Sequence, residues 1–105
     1  MTETNEPVTH GILVEEELQF TLVELSRACR ADSEQLVVLV REGVLTPTGD
    51  SPASWRFGGS TLRRARAALR LSRDLELDAG ATGLVLDLLE EIAALRARLG
   101  RFGEG

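Results

Sequence analysis

Between Phe20 and Pro47, apolar residues return every three or four positions in two short runs. That pattern predicts two amphipathic helices joined by a tight turn. The helix starts are marked by chemistry as well as by period. Thr21 and Glu24 stand at capping-box spacing, where the hydroxyl takes the amide of the third helical residue and the carboxylate returns to the cap amide. Phe20 and Leu25 hold the two positions of a hydrophobic staple. Asp32 and Gln35 repeat the arrangement for the second helix, and Leu36, Leu39 and Val40 form its inward stripe. Gly43 falls where a left-handed residue ends a helix. Two capped helices around a turn are the frame of a helix-turn-helix.

After Pro47, TGDSPAS is rich in turn formers, and Trp55 and Phe57 then alternate with Arg56. The alternation puts both aromatics on one face and predicts a small β wing, with Trp55 covering the short helices. Ser60 or Thr61 is a candidate cap for a third helix from about Leu62 to Leu75, with Leu62, Ala65, Leu69 and Leu75 turned inward. Arg63, Arg66, Arg70 and Arg73, spaced three, four and three apart, make one stripe along it. Asp78 is the candidate cap of a last helix reaching about Leu99. There Val85, Leu88, Ile92, Leu95 and Leu99 form a heptad-like seam, and Leu84 and Leu89 widen its apolar face. A face that wide predicts two contacts, one with the domain itself and one with a second copy. Glu91 and Arg98 then stand as opposite charges across an antiparallel seam, and burial of the seam within the monomer is the alternative. Gly80 and Gly83 are expected to weaken this helix's first turn.

The resulting fold class is all-α in the main, with a small β wing and a C-terminal amphipathic helix. Residues 1–17 read as a flexible acidic N-terminal tail and residues 18–105 as a single domain, the size at which one small core forms. No run of eighteen apolar residues occurs, so no membrane span is predicted. Met1 to Glu17 carries five acids and neither Arg nor Lys, the opposite of a secretory or mitochondrial leader, and a cytoplasmic location is expected. The one cysteine, Cys29, lies on the first helix, where it reads as a small buried hydrophobe.

Several chemistries are excluded by residues the chain lacks. All twelve basic residues are Arg, so a Walker loop, a Schiff base and a Ser-Lys pair are impossible. The single histidine, His10, and the single cysteine cannot hold zinc tetrahedrally. Without tyrosine, and without histidine in the predicted domain, acid–base work falls to carboxylates placed mostly at helix ends and exposed faces. The chain therefore reads as a non-enzyme that needs no cofactor or metal.

Charge then separates the remaining binding functions. Met1 to Ser60 holds ten acids and four bases, a net −6, whereas Thr61 to Gly105 holds seven acids and eight bases, a net +1. A duplex needs cations at its phosphates and donors or acceptors at its base edges. The second helix presents Val37, Val38 and Leu39 at the reading positions, with Glu34 and Glu42 beside them. Such a face suits a basic protein surface. The stripe of Arg63, Arg66, Arg70 and Arg73 is the feature that supports DNA binding; the alternative is a solvated face whose stems shield apolar surface.

One resemblance adds to this reading. The order of FTLVELSRACRADSEQLVVLVREGVL, SWRF at Ser54 to Phe57, RLSRDLELD at Arg70 to Asp78 and LLEEIAALRARLGRF at Leu88 to Phe102 resembles the MerR-like winged helix-turn-helix arrangement. With EGVLTP at Glu42 to Pro47, it looks more specifically like the CbpM-type chaperone modulators, over nearly everything after the acidic tail. The resemblance implies a homodimer that binds the J-domain of a CbpA/DnaJ-like co-chaperone and inhibits its stimulation of a DnaK-type chaperone. It implies Glu34, Val37, Val38 and Glu42 as exposed contacts on or beside the second helix, and Asp50 as a charged neighbour. The competing expectation is a MerR-family DNA-binding transcriptional regulator.

Overall fold

The computed structural model describes residues 18–104, which form four helices: α1 Leu22–Cys29, α2 Ser33–Arg41, α3 Gly59–Leu75 and α4 Ala79–Glu104. The expected acidic tail, residues 1–17, lies outside the described residues. Helix α1 begins at the predicted capping box. The Glu24 amide donates to Thr21 Oγ1 at 3.1 Å and the Thr21 amide to Glu24 Oε1 at 2.8 Å, satisfying two of the helix's orphan donors. The α1–α2 turn passes through Arg30 at φ 54°, and the Ser26 hydroxyl donates to the Ala31 carbonyl across it. At α2 the Asp32 amide donates to Gln35 Oε1 at 3.1 Å, and Gly43 follows the helix at φ 77°. The left-handed stop and the second cap are thus both where the spacing of the residues put them.

The inward residues of each element meet in one core. Leu25 of α1, Leu36 and Leu39 of α2, Val44, Leu45, Trp55, Phe57, Ala65, Ala68 and Leu86 are all buried. Burying a leucine side chain fully stabilises the fold by about 1.5–3 kcal/mol, and Leu25 and Leu36 are each sealed completely. Trp55 and Phe57 pack edge to face, with centroids 6.1 Å apart and planes at 84°. Arg56 between them points out, as the alternation requires.

The β wing is corrected. The described residues contain no strand; the segment pairs only through isolated antiparallel bridges, Thr48 with Arg56 and Phe20 with Phe57. A tight turn at Gly49 (φ 101°) and the hydrogen bonds of the Ser54 hydroxyl with the Asp50 and Ser51 amides occupy the stretch that a longer ladder would need. Helix α3 starts earlier than expected, capped at Gly58 rather than at Ser60 or Thr61. Ala65 is sealed and Leu62 and Leu69 are packed against the core, but Leu75 is 57% exposed because it lies in the last turn, past the core.

Helix α4 opens as Asp78 predicts: Asp78 Oδ1 accepts from the Ala81 amide at 2.8 Å, and the Asp78 carbonyl accepts from the Thr82 hydroxyl at 2.7 Å. Thr82 is thereby fully buried yet satisfied. Gly83, expected only to weaken the turn, has a packing role. A Cβ there would stand 2.9 Å from Val44 Cγ2, so the missing side chain lets α4 approach the segment that follows α2. From Asp87 to Arg101 every side chain is exposed, and the helix runs on to Glu104, beyond the expected end at Leu99. No described helix is long and apolar enough to cross a membrane.

Candidate protein-binding face

On α2, residues four apart share a face, which aligns Glu34, Val38 and the cap residue Glu42. Val38 is 46% exposed there, while Leu36 on the opposite side and Leu39, about 100° around the helix, are sealed at 0% and 5%. Beside Val38 lies a hollow of about 200 Å³, walled by Leu39 of α2, Ala68 and Leu69 of α3, and Leu77 in the α3–α4 turn. A second hollow of about 400 Å³, lined by Val38, Glu42, Asp78, Ala79 and Gly80, continues it. The two share Val38, Asp78 and Ala79, so they form one groove with an aliphatic floor and two carboxylates at its edge. Neither hollow is lined by a described Arg. Such a surface favours an apolar side chain flanked by a cation.

The carboxylates are placed by the fold. Asp78 is held by its hydrogen bond to the Ala81 amide, and Glu42 reaches the first turn of α4, its Oε1 standing 3.4 Å from where a Cβ at position 80 would lie. Neither Asp78 nor Gly80 was singled out as part of a site in the sequence. Their contribution depends on the α3–α4 turn folding back against α2, which no local spacing announces.

The five expected contact residues divide. Val38 and Glu42 are brought together in the groove, and Glu34 lies exposed one turn away on the same face. Val37 is corrected: it is half-buried and packed against the core, because a one-residue step around the helix turns it about 100° away from Val38. Asp50 is exposed in the turn before Ser54, its amide donating to Ser54 Oγ at 3.2 Å, and it lines neither hollow.

Arg63, Arg66, Arg70 and Arg73 are all exposed on α3. Arg66 Nη2 donates to the Ala28 carbonyl at 3.3 Å, and Arg73 Nε lies 3.4 Å from Asp74 Oδ1. An arginine outside the stripe makes three hydrogen bonds to other parts of the fold. Arg64 donates from Nε to the Val44 carbonyl at 2.7 Å, from Nη1 to Glu90 Oε2 at 2.7 Å and from Nη2 to Asp87 Oδ1 at 3.0 Å. Its position between two stripe members hid it from a reading by period. Cys29 is half-buried, and burial pushes its thiol pKa up against the opposing pull of Arg66. Among the described residues no group of three or more His, Cys, Asp and Glu is placed to hold a metal ion.

On α4 the seam residues Leu88, Ile92, Leu95 and Leu99 are 44–67% exposed, with Leu84 and Leu89 beside them, and Val85 is half-buried. The alternative of a seam buried within the monomer therefore fails for all but Val85, since α4 runs past the rest of the domain.

Residues 20–102 match the MerR HTH family regulatory proteins. The chain is 35% identical to the chaperone modulatory protein CbpM of Coxiella burnetii (strain Dugway 5J108-111) over 92 residues, covering 88% of this chain and 87% of that protein. This is a CbpM-type member of the MerR helix-turn-helix family. The CbpM of Pseudomonas putida (strain W619) is 32% identical, with 81% of this chain and 91% of the relative covered, and that of Pseudomonas entomophila (strain L48) is 29% identical over the same shares. The family match, residues 20–102, thus takes in both short helices, the aromatic segment and most of α4. The chain keeps the MerR frame while turning an aliphatic and acidic face outward from its second helix.

Proposed function

We propose that this CbpM-type protein is a chaperone modulator that binds the J-domain of a CbpA/DnaJ-like co-chaperone and inhibits its stimulation of a DnaK-type chaperone. The observation that carries the reading is the groove beside α2, where the exposed Val38 is flanked by Glu42 and Asp78. A basic helical surface would seat an aliphatic side chain against Val38 and its cations at the two carboxylates, and the modulator would then compete with the chaperone for that surface. Glu34 extends the acidic strip, and the names of the relatives support the same role.

Titration of the protein with an isolated J-domain tests this. Binding is expected at low salt, weakening as salt rises, and Val38→Lys should lower the affinity at least tenfold while leaving the helical circular dichroism unchanged. Absence of any binding at low salt refutes the proposal, and unfolding of the variant would show that Val38 supports the core.

The exposed seam of α4 supports a homodimer, with Glu91 opposite Arg98 in an antiparallel pair. Sedimentation should give a dimer that Ile92→Asp converts to a monomer. A second reading, DNA-binding regulation, rests on the exposed arginines of α3. It predicts retardation of duplex fragments that Arg63→Glu with Arg70→Glu abolishes. An unretarded duplex eliminates it.

A further inference from the structure

The aliphatic hollow beside Val38 holds about 200 Å³, and an apolar space of about 150 Å³ is enough for a benzene-sized group. It has room for one side chain and not for a helix. Ser72, the hydroxyl-bearing residue of its lining, is committed elsewhere: its hydroxyl donates to the Leu77 carbonyl at 2.8 Å, and its carbonyl accepts from the Leu77 amide at 3.1 Å. That pair of bonds fixes the α3–α4 turn, which supplies Leu77 as a wall of the hollow and Asp78 at its edge.

Two carboxylates converge next to the hollow. The position a Cβ would take at Gly80 is 3.4 Å from Glu42 Oε1 and 3.7 Å from Asp78 Oδ1, so both oxygens lie over one spot on the first turn of α4. Asp78 Oδ1 accepts from the Ala81 amide, and among the described residues neither carboxylate is paired with an arginine. A guanidinium donating from two arms of its fork, with each bond about 2.8 Å long, can bridge two such oxygens; the compact ammonium of Lys suits them less well. Spacing ties this spot to the hollow. Val38 and Glu42 are one turn apart on α2, about 6 Å along its axis, which is also the separation of side chains one turn apart on a neighbouring helix.

We propose that the groove reads one helical turn of its partner: an aliphatic side chain seated in the hollow, and an arginine four residues from it on the same helix, held jointly by Glu42 and Asp78. Asp78 is thereby a specificity-determining residue, selecting partners whose aliphatic anchor carries a cation one turn away. The inference rests on the reading of this groove as the partner site, and it adds the side-chain pattern that a partner must present. The aliphatic floor supplies the seat, and the unpaired carboxylates supply the discrimination.

A stapled helical peptide of Ala and Gln, carrying one Leu and one Arg four residues apart, tests this on the full natural chain through amide chemical shifts. At millimolar peptide the Val38, Asp78, Ala79 and Gly80 signals should move, and exchanging the peptide's Arg for Gln should weaken binding about fivefold, the scale of two part-exposed ion pairs. Against the Glu42→Gln, Asp78→Asn variant the same exchange should matter less than twofold. Asn at position 78 still caps α4, so that loss of preference reports charge and not unfolding. No shift at millimolar peptide, equal affinity of the Arg and Gln peptides for the natural chain, or an undiminished Arg preference in the double variant each overturns the proposal. Movement of the same signals on dilution of the protein alone also overturns it, assigning the groove to a second copy. An isolated J-domain titrated in parallel separates the two readings. Capture of the J-domain without any Arg preference among the peptides sinks this inference alone, and the expected peptide pattern without J-domain capture sinks the co-chaperone reading alone.

Discussion

Replacing Arg64 with alanine removes three hydrogen bonds that join α3 to two other parts of the fold, the segment after α2 and the middle of α4. The three are unequal. Val44 is 3% exposed and the Arg64 side chain 22%, so the bond from Nε to the Val44 carbonyl is shielded from solvent. A hydrogen bond from a charged donor in such a place contributes about 1.5–3 kcal/mol. Asp87 and Glu90, in contrast, have side chains 68% and 65% exposed, and ion pairs of that kind contribute roughly 0–1 kcal/mol each. Arg64→Ala is therefore expected to cost about 2–3 kcal/mol, most of it at Val44, which for a domain of this size lowers Tm by roughly 10–20 °C. Urea unfolding followed by circular dichroism at fixed protein concentration measures the loss. The double variant Asp87→Asn, Glu90→Gln isolates the ion pairs and should cost about 1 kcal/mol or less, with a dependence on salt that the Val44 contact lacks. If the double variant costs as much as Arg64→Ala, or if Arg64→Ala lies within about 0.5 kcal/mol of the natural chain, the reasoning from burial is wrong.

Three further outcomes follow from single positions. Gly83→Ala places a methyl group 2.9 Å from Val44 Cγ2, and since Val44 is buried and stiff it should destabilise by about 1–3 kcal/mol despite alanine's better helix propensity, as the urea midpoint will show. Glu76→Gly relieves a left-handed cap at φ 53° and should raise stability by about 0.5–1 kcal/mol; a loss in the same assay would contradict the cap assignment. The Cys29 thiol, its pKa raised chiefly by burial, should alkylate more slowly than free cysteine at neutral pH and reach full reactivity only at a higher pH. Below the unfolded-state thiol pKa this group leaves stability unchanged; as pH rises past that value the unfolded chain releases its proton first, and stability falls until the folded thiol ionises too. Arg66→Ala, which removes the opposing pull, should move the alkylation profile to still higher pH.

What could be read from the sequence was what neighbours along the chain decide for themselves. The Thr21–Glu24 box, the Asp32–Gln35 pair, the stop at Gly43 and the cap at Asp78 each involve residues within a few positions of one another, so their geometry follows from spacing alone. The alternation of Trp55 and Phe57 around Arg56 likewise foretold which side chains the core would take. The outward face of α2 was half legible, because a helix period says which residues share a side but not where the buried arc ends. That arc took in Val37 and left Val38 out. The pairing around the aromatics was overestimated, since ladder length depends on what the partner segment is doing, and here a turn at Gly49 and the Ser54 hydrogen bonds claimed it. Only the tertiary structure decided the rest. Glu42 and Asp78 border one groove, Arg64 reaches Val44 and Glu90, and Gly83 admits α4 close to Val44. Each of these joins residues 20 to 40 positions apart, a distance over which periodicity carries no signal and the packing of whole helices alone sets who meets whom.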